Sequence, residues 1–251
     1  MIKESDIRSD QVLKKYQKLV DIDSKKLLKH KRNFKKINLK KIGLEKMSHA
    51  FKKKGYNYLE CQNTGTLIVN PRPSKTDLSN FYKNSKSNDF WYKNFFLPKL
   101  RQRVNFTIKP KINYLTKNFK SYQKKRIIDI GCGSGDFLIN LKKKWKNAKL
   151  FGLEPSETMF KKFKDNDIKI INNVIENFKV KKKFDVATCF ELFEHVYDPN
   201  LFIKSLSNIL SRNGLLYLST LNAGGFDIKY LRENSNSIYP PYHLNFFSIK
   251  S

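Results

Sequence analysis

Cysteine is scarce in this chain: Cys61, Cys132 and Cys189 lie far apart among 251 residues. An odd, dispersed set cannot build a disulfide framework and suits reduced thiols, so the cytoplasm is the expected location. Long apolar runs are missing too, and none approaches the about 20 residues that a membrane-spanning helix needs. The start, Met1-Ile2-Lys3-Glu4-Ser5-Asp6, leads into no apolar stretch, and no secretory leader is expected. Acidic residues are few: 22 Asp and Glu stand against 51 Lys and Arg, a formal net charge of +29. Alone, that imbalance fits an anionic partner such as nucleic acid or an acidic membrane surface. The lysines, however, come with abundant Asn, Ile, Phe and Tyr and are spread along the chain. Runs such as Lys142-Lys143-Lys144 and Lys181-Lys182-Lys183 fall at expected helix ends and loops. Solvated surface is the favoured reading, and nucleic acid is not the favoured partner.

What remains is ample for a folded protein. Hydrophobic residues make up 39%, with 20 Phe and 12 Tyr, enough for one sizeable domain plus a smaller one. The division is expected at residues 1–97 and 98–251. In the first part, Val12, Leu13, Tyr16, Leu19, Val20, Leu27 and Leu28 predict a helix over about 10–31, with Asp10 as a candidate N-cap. Tyr56 to Leu59 and Thr66 to Val69 predict a hairpin around Asn63-Thr64-Gly65, ended by Pro71 and Pro73. An aromatic stretch from Phe81 to Phe96 reads as a lid or small subdomain packed against the main domain.

The second part alternates strands and helices. Strands are expected at Arg126–Ile130, Lys149–Leu153, Ile168–Val174, Phe184–Phe190 and Leu215–Ser219. Between them, helices carry Phe137, Leu138, Leu141 and Trp145; then Met159, Phe160 and Phe163 after a Ser156 cap; then Leu201, Phe202, Leu206, Ile209 and Leu210. Asp198-Pro199 is a cap followed by a first-turn proline, and Gly214 is the expected stop. The class is therefore α/β: an open parallel sheet with helices on both faces, preceded by a small N-terminal helix and β-hairpin subdomain.

Such sheets bind ligands at the carboxyl ends of their strands, near the point where strand order reverses. The glycine turn after the first strand, Gly131-Cys132-Gly133-Ser134-Gly135-Asp136, marks that place. A dinucleotide loop would have a sixth-position glycine and a pyrophosphate against the helix. Here Asp136 takes that position and Asp129 precedes the turn. Two carboxylates repel a pyrophosphate and suit a ligand carrying an ammonium and a sulfonium. Cys132 reads as a small filler, and Asp185 as a structural residue holding a turn.

With those residues in view, Asp129 to Asp136 resembles the first motif of class I S-adenosylmethionine-dependent methyltransferases, within the type 11, 12 and 23 group. The resemblance implies a Rossmann-like sheet, S-adenosylmethionine as cofactor, and a cofactor set of Asp129, Gly131, Cys132, Gly133, Gly135, Glu154, Pro155, Asn173, Val174, Phe190 and Glu191. Glu154 matches the acid that meets the ribose hydroxyls, and Asn173-Val174 the adenine-contacting position. Phe184-Asp185-Val186 into Glu191-x-x-Glu194-His195 resembles the fourth motif. That segment is similar to ubiquinone-pathway O-methyltransferases and small-RNA 2′-O-methyltransferases, which implies Glu194 and His195 as catalytic candidates. It also implies Glu191, Glu194, His195 and His243 as candidate ligands of a divalent ion. Tyr239-Pro240-Pro241-Tyr242 lies after the fifth strand and opens on Tyr239, so it does not argue for base N-methylation.

Two features depart from the family. The region before the catalytic domain resembles a zinc ribbon, yet the knuckle positions read Leu39 and Ile42 before Gly43, and Cys61 and Thr64 before Gly65. One thiol of four cannot hold tetrahedral zinc, so no metal is expected there. The family's last strands are also not expected before Ser251, so either the sequence is truncated or a partner or second copy covers the open sheet edge. The expected function is methylation of oxygen or carbon on a small-molecule or sugar-type acceptor. RNA methylation and a catalytically inactive scaffold are the alternatives.

Overall fold

The computed structural model describes residues 10–160, 163 and 167–251. The chain divides into two compact units, Met1–Leu100 with Leu221–Ser251, and Arg101–Thr220. The boundary near residue 100 lies close to the expected division. Residues 221–251 pack with the N-terminal unit.

In the first unit, helix α1 (Asp10–Leu28) buries Tyr16, Val20 and Leu27 on one stripe, at helical spacing. Asp10, proposed as its cap, is already helical, and the residues before it lie outside the described range. Strands β1 (Met47–Lys53) and β2 (Tyr56–Cys61) are joined by Lys54 and Gly55, both at positive φ, as a tight hairpin requires. Strand β1 was not expected from the sequence, whose pattern there is irregular. Strand β3 (Leu67–Val69) pairs antiparallel with β2, Leu59 opposite Ile68, so the predicted hairpin is present. Helices α2 (Lys75–Asn84) and α3 (Lys86–Trp91) start on Ser74 and Ser85, whose side chains cap them.

The second unit opens with α4 (Lys109–Asn118) and β4 (Arg126–Ile130). It continues with α5 (Asp136–Lys144), β5 (Lys149–Leu153), β6 (Lys169–Ile171), β7 (Phe184–Phe190), α6 (Pro199–Ile209) and β8 (Leu210–Ser219). The order across the sheet is β6-β5-β4-β7-β8, parallel throughout. Both faces are covered. Ile127 points into a core with Leu115 and Leu138, while Ile128 and Ile130 point into one with Phe202 and Leu206. Strands buried on two sides carry apolar residues on both faces, as Ile127, Ile128 and Ile130 do in β4.

Two details differ from expectation, and a third lies largely outside the described residues. Strand β6 is shorter than residues 168–174. Only Glu157–Phe160 of the helix after Ser156 is described, and its continuation toward Phe163 falls largely outside the described residues. Gly214 does not stop α6. The helix ends at Ile209, β8 begins at Leu210, and the register jumps from Phe184 opposite Leu210 to Val186 opposite Leu215. Residues 211–214 bulge, and Gly214 sits inside that bulge.

The sheet of the second unit ends at β8 among the described residues, with Tyr114, Phe119, Leu215, Leu216 and Tyr217 lining a shallow apolar groove of about 310 Å³ there. The chain then returns to the first unit as α7 (Phe226–Leu231) and β9 (Asn245–Phe246), which pairs antiparallel with β3 in the order β1-β2-β3-β9. No described helix is long and apolar enough to cross a membrane.

Candidate functional site

The connections out of β4 run first toward β5 and β6, and then to β7 on the opposite side. The reversal places a crevice at the carboxyl ends of β4 and β7. The loop after β4 is shaped by three glycines in left-handed conformations, Gly131 (φ 70°), Gly133 (φ 55°) and Gly135 (φ 76°). Its backbone is tied down by Gly131 and Cys132, whose N–H groups both donate to the Leu153 carbonyl, at 2.8 and 3.2 Å. A Cβ on Gly135 would lie 2.3 Å from the Phe163 ring, whereas the space over Gly133 is open. The loop thus packs on one side and leaves a cradle on the other. Cys132 is buried with its sulfur toward Gly152, and burial pushes its thiol pKa up, as befits a filler.

Two carboxyl groups are buried beside this loop. Asp129 in β4 is 4% exposed and lies opposite Thr188 in β7, whose hydroxyl donates to it at 2.6 Å. Burial pushes the Asp129 pKa up to about 7, against the pull of the Thr188 hydrogen bond and the Lys111 charge. Glu154, at the end of β5, accepts from the N–H groups of Gly133 (2.8 Å) and Ser156 (2.9 Å). Burial raises its pKa as well, more than those two bonds lower it. Each Glu154 oxygen keeps a second lone pair beyond its backbone donor. Exposed Pro155 follows it in the turn leading to Glu157–Phe160.

After β6, the Asn173 side-chain oxygen accepts from the Val174 N–H at 2.8 Å, and the Asn172 amide donates to the Glu154 carbonyl at 2.9 Å. The expected adenine-contacting pair therefore lies in a segment bonded directly to the Glu154 turn. At the end of β7, Phe190 packs edge-on against Phe137 and Tyr217. Glu191 is held at φ 51°, a strained conformation for a residue with a Cβ. Its carboxylate accepts from Lys111 Nζ (3.2 Å) and the Ser219 hydroxyl (2.7 Å). Asp185 accepts from the Arg126 N–H at 2.9 Å, in agreement with a structural role.

Glu194 and His195 follow in a short helical turn, Phe193–His195. Glu194 is 2% exposed, accepts from the Thr220 hydroxyl at 2.8 Å, and burial pushes its pKa up to about 7. His195 Nε2 lies 4.0 Å from its carboxylate. His243 belongs to the first unit, where its Nδ1 donates to the Ser237 carbonyl at 2.6 Å. Within the second unit, Glu194 and His195 stand together, while Glu191 is drawn into the ion pair with Lys111.

Lys111 is the residue that sequence reasoning missed. From α4 it reaches Glu191, Ser219 (2.9 Å) and the face of the Phe190 ring, 4.5 Å to its centroid. One lysine on a helix, in a chain rich in lysine, carries no sequence signal that separates it from its neighbours. Thr188 was equally silent, because its role exists only through the β4–β7 register.

A family model described as a methyltransferase domain matches residues 100–251. Among curated proteins, the ubiquinone biosynthesis O-methyltransferase of Pelagibacter ubique is 39% identical over 103 residues, covering 39% of this chain and 42% of that protein. The enzyme of the same name from Rickettsia canadensis is 32% identical over 115 residues, covering 44% and 49%. The chain thus spans about half the length of the curated relatives it matches. Among solved structures, the plantazolicin methyltransferase BpumL in complex with SAH is similar at 25% identity and a TM-score of 0.50, over 58% of this chain and 57% of that one.

Proposed function

This chain belongs to the methyltransferase-domain family, and on that premise we propose that it transfers a methyl group from S-adenosylmethionine to a hydroxyl of a small-molecule acceptor. The observation that carries the proposal is the pair of buried carboxyl groups, Asp129 and Glu154, facing an open glycine cradle at the strand-order reversal. A buried acid raised toward neutrality stores unfavourable burial that a cationic ligand relieves. A dinucleotide phosphate would meet charge of its own sign there and be repelled. The named methyl donor brings an ammonium, a sulfonium and a ribose diol, which suit this donor set.

When bound, the cofactor supplies a methyl group already activated on positive sulfur. The residues of this chain bind and orient. Asp129 favours the ammonium side, Glu154 accepts from the ribose hydroxyls, and Asn173 with Val174 meets the adenine edge. Lys111, released from Glu191, answers the cofactor's carboxylate. Orientation of this kind is worth ~7–11 kcal/mol in favourable cases. The acceptor hydroxyl must shed a proton, and Glu194, raised to about 7 by burial, is suited to take it, with His195 beside it. A divalent ion would find Glu194 and His195 as donors in this unit, with Glu191 available only after Lys111 lets go. The names of the O-methyltransferase relatives support oxygen as the acceptor atom.

Titration with S-adenosylmethionine, followed by assay against a panel of small hydroxyl compounds, tests the proposal. Micromolar cofactor binding and methylation of a panel member are expected. Silence in the titration would remove the reading. An RNA acceptor is the second reading, favoured by the net charge of +29, and would announce itself as RNA binding that weakens steeply with salt.

A further inference from the structure

The turn after β7 builds a seat for one carboxylate. Lys111 Nζ, at 3.2 Å, and the Ser219 hydroxyl, at 2.7 Å, donate to the same oxygen of Glu191, and Lys111 also donates to the Ser219 oxygen at 2.9 Å. The ammonium rests over the Phe190 ring, 4.5 Å from its centre. The Lys111 side chain is mostly buried, whereas that of Glu191 is 54% exposed. The donors are therefore fixed, and their acceptor is the looser partner. Glu191 is also the strained one. At φ 51° it holds a conformation that favours glycine, kept by this pair and by the bond from its own N–H to the Ser219 carbonyl at 2.9 Å. The Lys111 charge also reaches Asp129, whose pKa it pulls down, so the seat lies beside the glycine cradle.

We propose that Glu191 is an internal competitor for this seat: its carboxylate takes the place that the cofactor's carboxylate takes on binding, and so holds down affinity for carboxylate-bearing ligands. The inference rests on the proposed cofactor, and it gives Glu191 a role opposite to that of a cofactor ligand. Two carboxylates on one ammonium repel each other, so an incoming carboxylate does best by displacing Glu191. The exchange is cheap, because the Glu191 end of the pair is exposed to water. It also relieves the strain at φ 51°, and the Arg103 charge, which acts on Glu191 as well, leaves the freed carboxylate in a cationic field. The same competition loosens the hold on the spent cofactor, which keeps its carboxylate, and favours its release after transfer.

The test is calorimetric titration of the full chain with S-adenosylmethionine and with its decarboxylated analogue, which keeps the ammonium and the sulfonium. Glu191→Gln is expected to bind S-adenosylmethionine about threefold to tenfold more tightly, the worth of a half-exposed ion pair with a hydrogen bond. It is expected to bind the decarboxylated analogue no more tightly than the wild type does. Lys111→Met is expected to weaken S-adenosylmethionine binding, and in that background Glu191→Gln should add nothing. Should Glu191→Gln lose stability, Glu191→Gly suits φ 51° and gives the same readout. Unchanged or weaker S-adenosylmethionine binding by a folded Glu191 variant overturns the proposal, and so does equal tightening for both ligands. The wild type keeps two failures apart. If it binds S-adenosylmethionine and the variant gains nothing, only the competitor role falls; if it does not bind, the cofactor reading falls and takes this role with it.

Discussion

Two glycine turns in this chain solve opposite problems. At Gly65 the turn after β2 closes over a cluster in which buried Cys61, Leu44 and Ile68 pack with Leu39, Ile42, Met47 and Leu59. The knuckle glycines Gly43 and Gly65 keep their left-handed conformation, both at φ 74°. Of the four positions where a ribbon would present thiols, Leu39 and Ile42 carry hydrocarbon, Thr64 a hydroxyl and Cys61 alone a thiol, and Leu39, Ile42 and Cys61 pack into this cluster. The turn at Gly131–Gly135 has similar backbone angles, yet beside it lie two buried carboxyl groups. A turn filled with apolar side chains is finished by the chain itself; a turn walled with buried acids is finished by a ligand.

The largest expected effect falls on the second turn. Glu154→Ala is expected to weaken cofactor binding by about 10–100-fold, the worth of charge-assisted hydrogen bonds to a diol. Calorimetric titration reads it, and an unchanged affinity would place the ribose elsewhere. Next comes a matched pair of substitutions. Gly65→Ala meets nothing within 4 Å and is expected to cost only the backbone term, about 1–2 kcal/mol. Gly135→Ala adds a clash with the Phe163 ring and is expected to cost about 1–3 kcal/mol more. Denaturant melts of the two variants compare them directly; equal losses would mean that the Phe163 ring yields freely.

Smaller in size but sharper in sign is the pH dependence. The folded-state pKa of Asp129, about 7, lies above its value in an unfolded chain, so this carboxyl stabilises the unliganded protein at low pH. That contribution is lost as pH rises toward and through about 7. A cation favours the ionised form, so cofactor affinity is expected to rise over the same interval, with protons released on binding near pH 6–7 (about half a unit either way). Asp129→Asn is expected to reduce that release, leaving only what Glu154 contributes, in titrations run in buffers of different ionisation enthalpy. The smallest expectation is no effect at all: a chelator should leave the melting temperature of the ribbon-like region unchanged. A drop would mean that Cys61 and its neighbours hold metal after all.

Much of the second unit was legible because its signals are local. A short buried apolar strand, a left-handed glycine turn and the Asp198-Pro199 start each depend on a few adjacent residues, and each is present. The bulge at 211–214 was not legible, since Gly214 after an amphipathic stretch looks like a helix stop whichever element follows. The pairing of the tail was not legible either. Nothing in Asn245-Phe246 says that its partner is β3 rather than a strand of the nearer sheet. In the site, Asp129 and Glu154 could be named from the motif, but the partners that set their chemistry come from register and from α4.

The pairing of β9 with β3 also orders events during synthesis. Buried Arg72 donates to the Asn245 side chain at 3.0 Å, across 173 residues of sequence. A ribosome must therefore complete the entire parallel sheet before the first-made strands can find their last neighbour. The earlier-translated unit becomes the later-finished one, waiting half-assembled while the later-translated unit gathers its local contacts, the kind that form fastest.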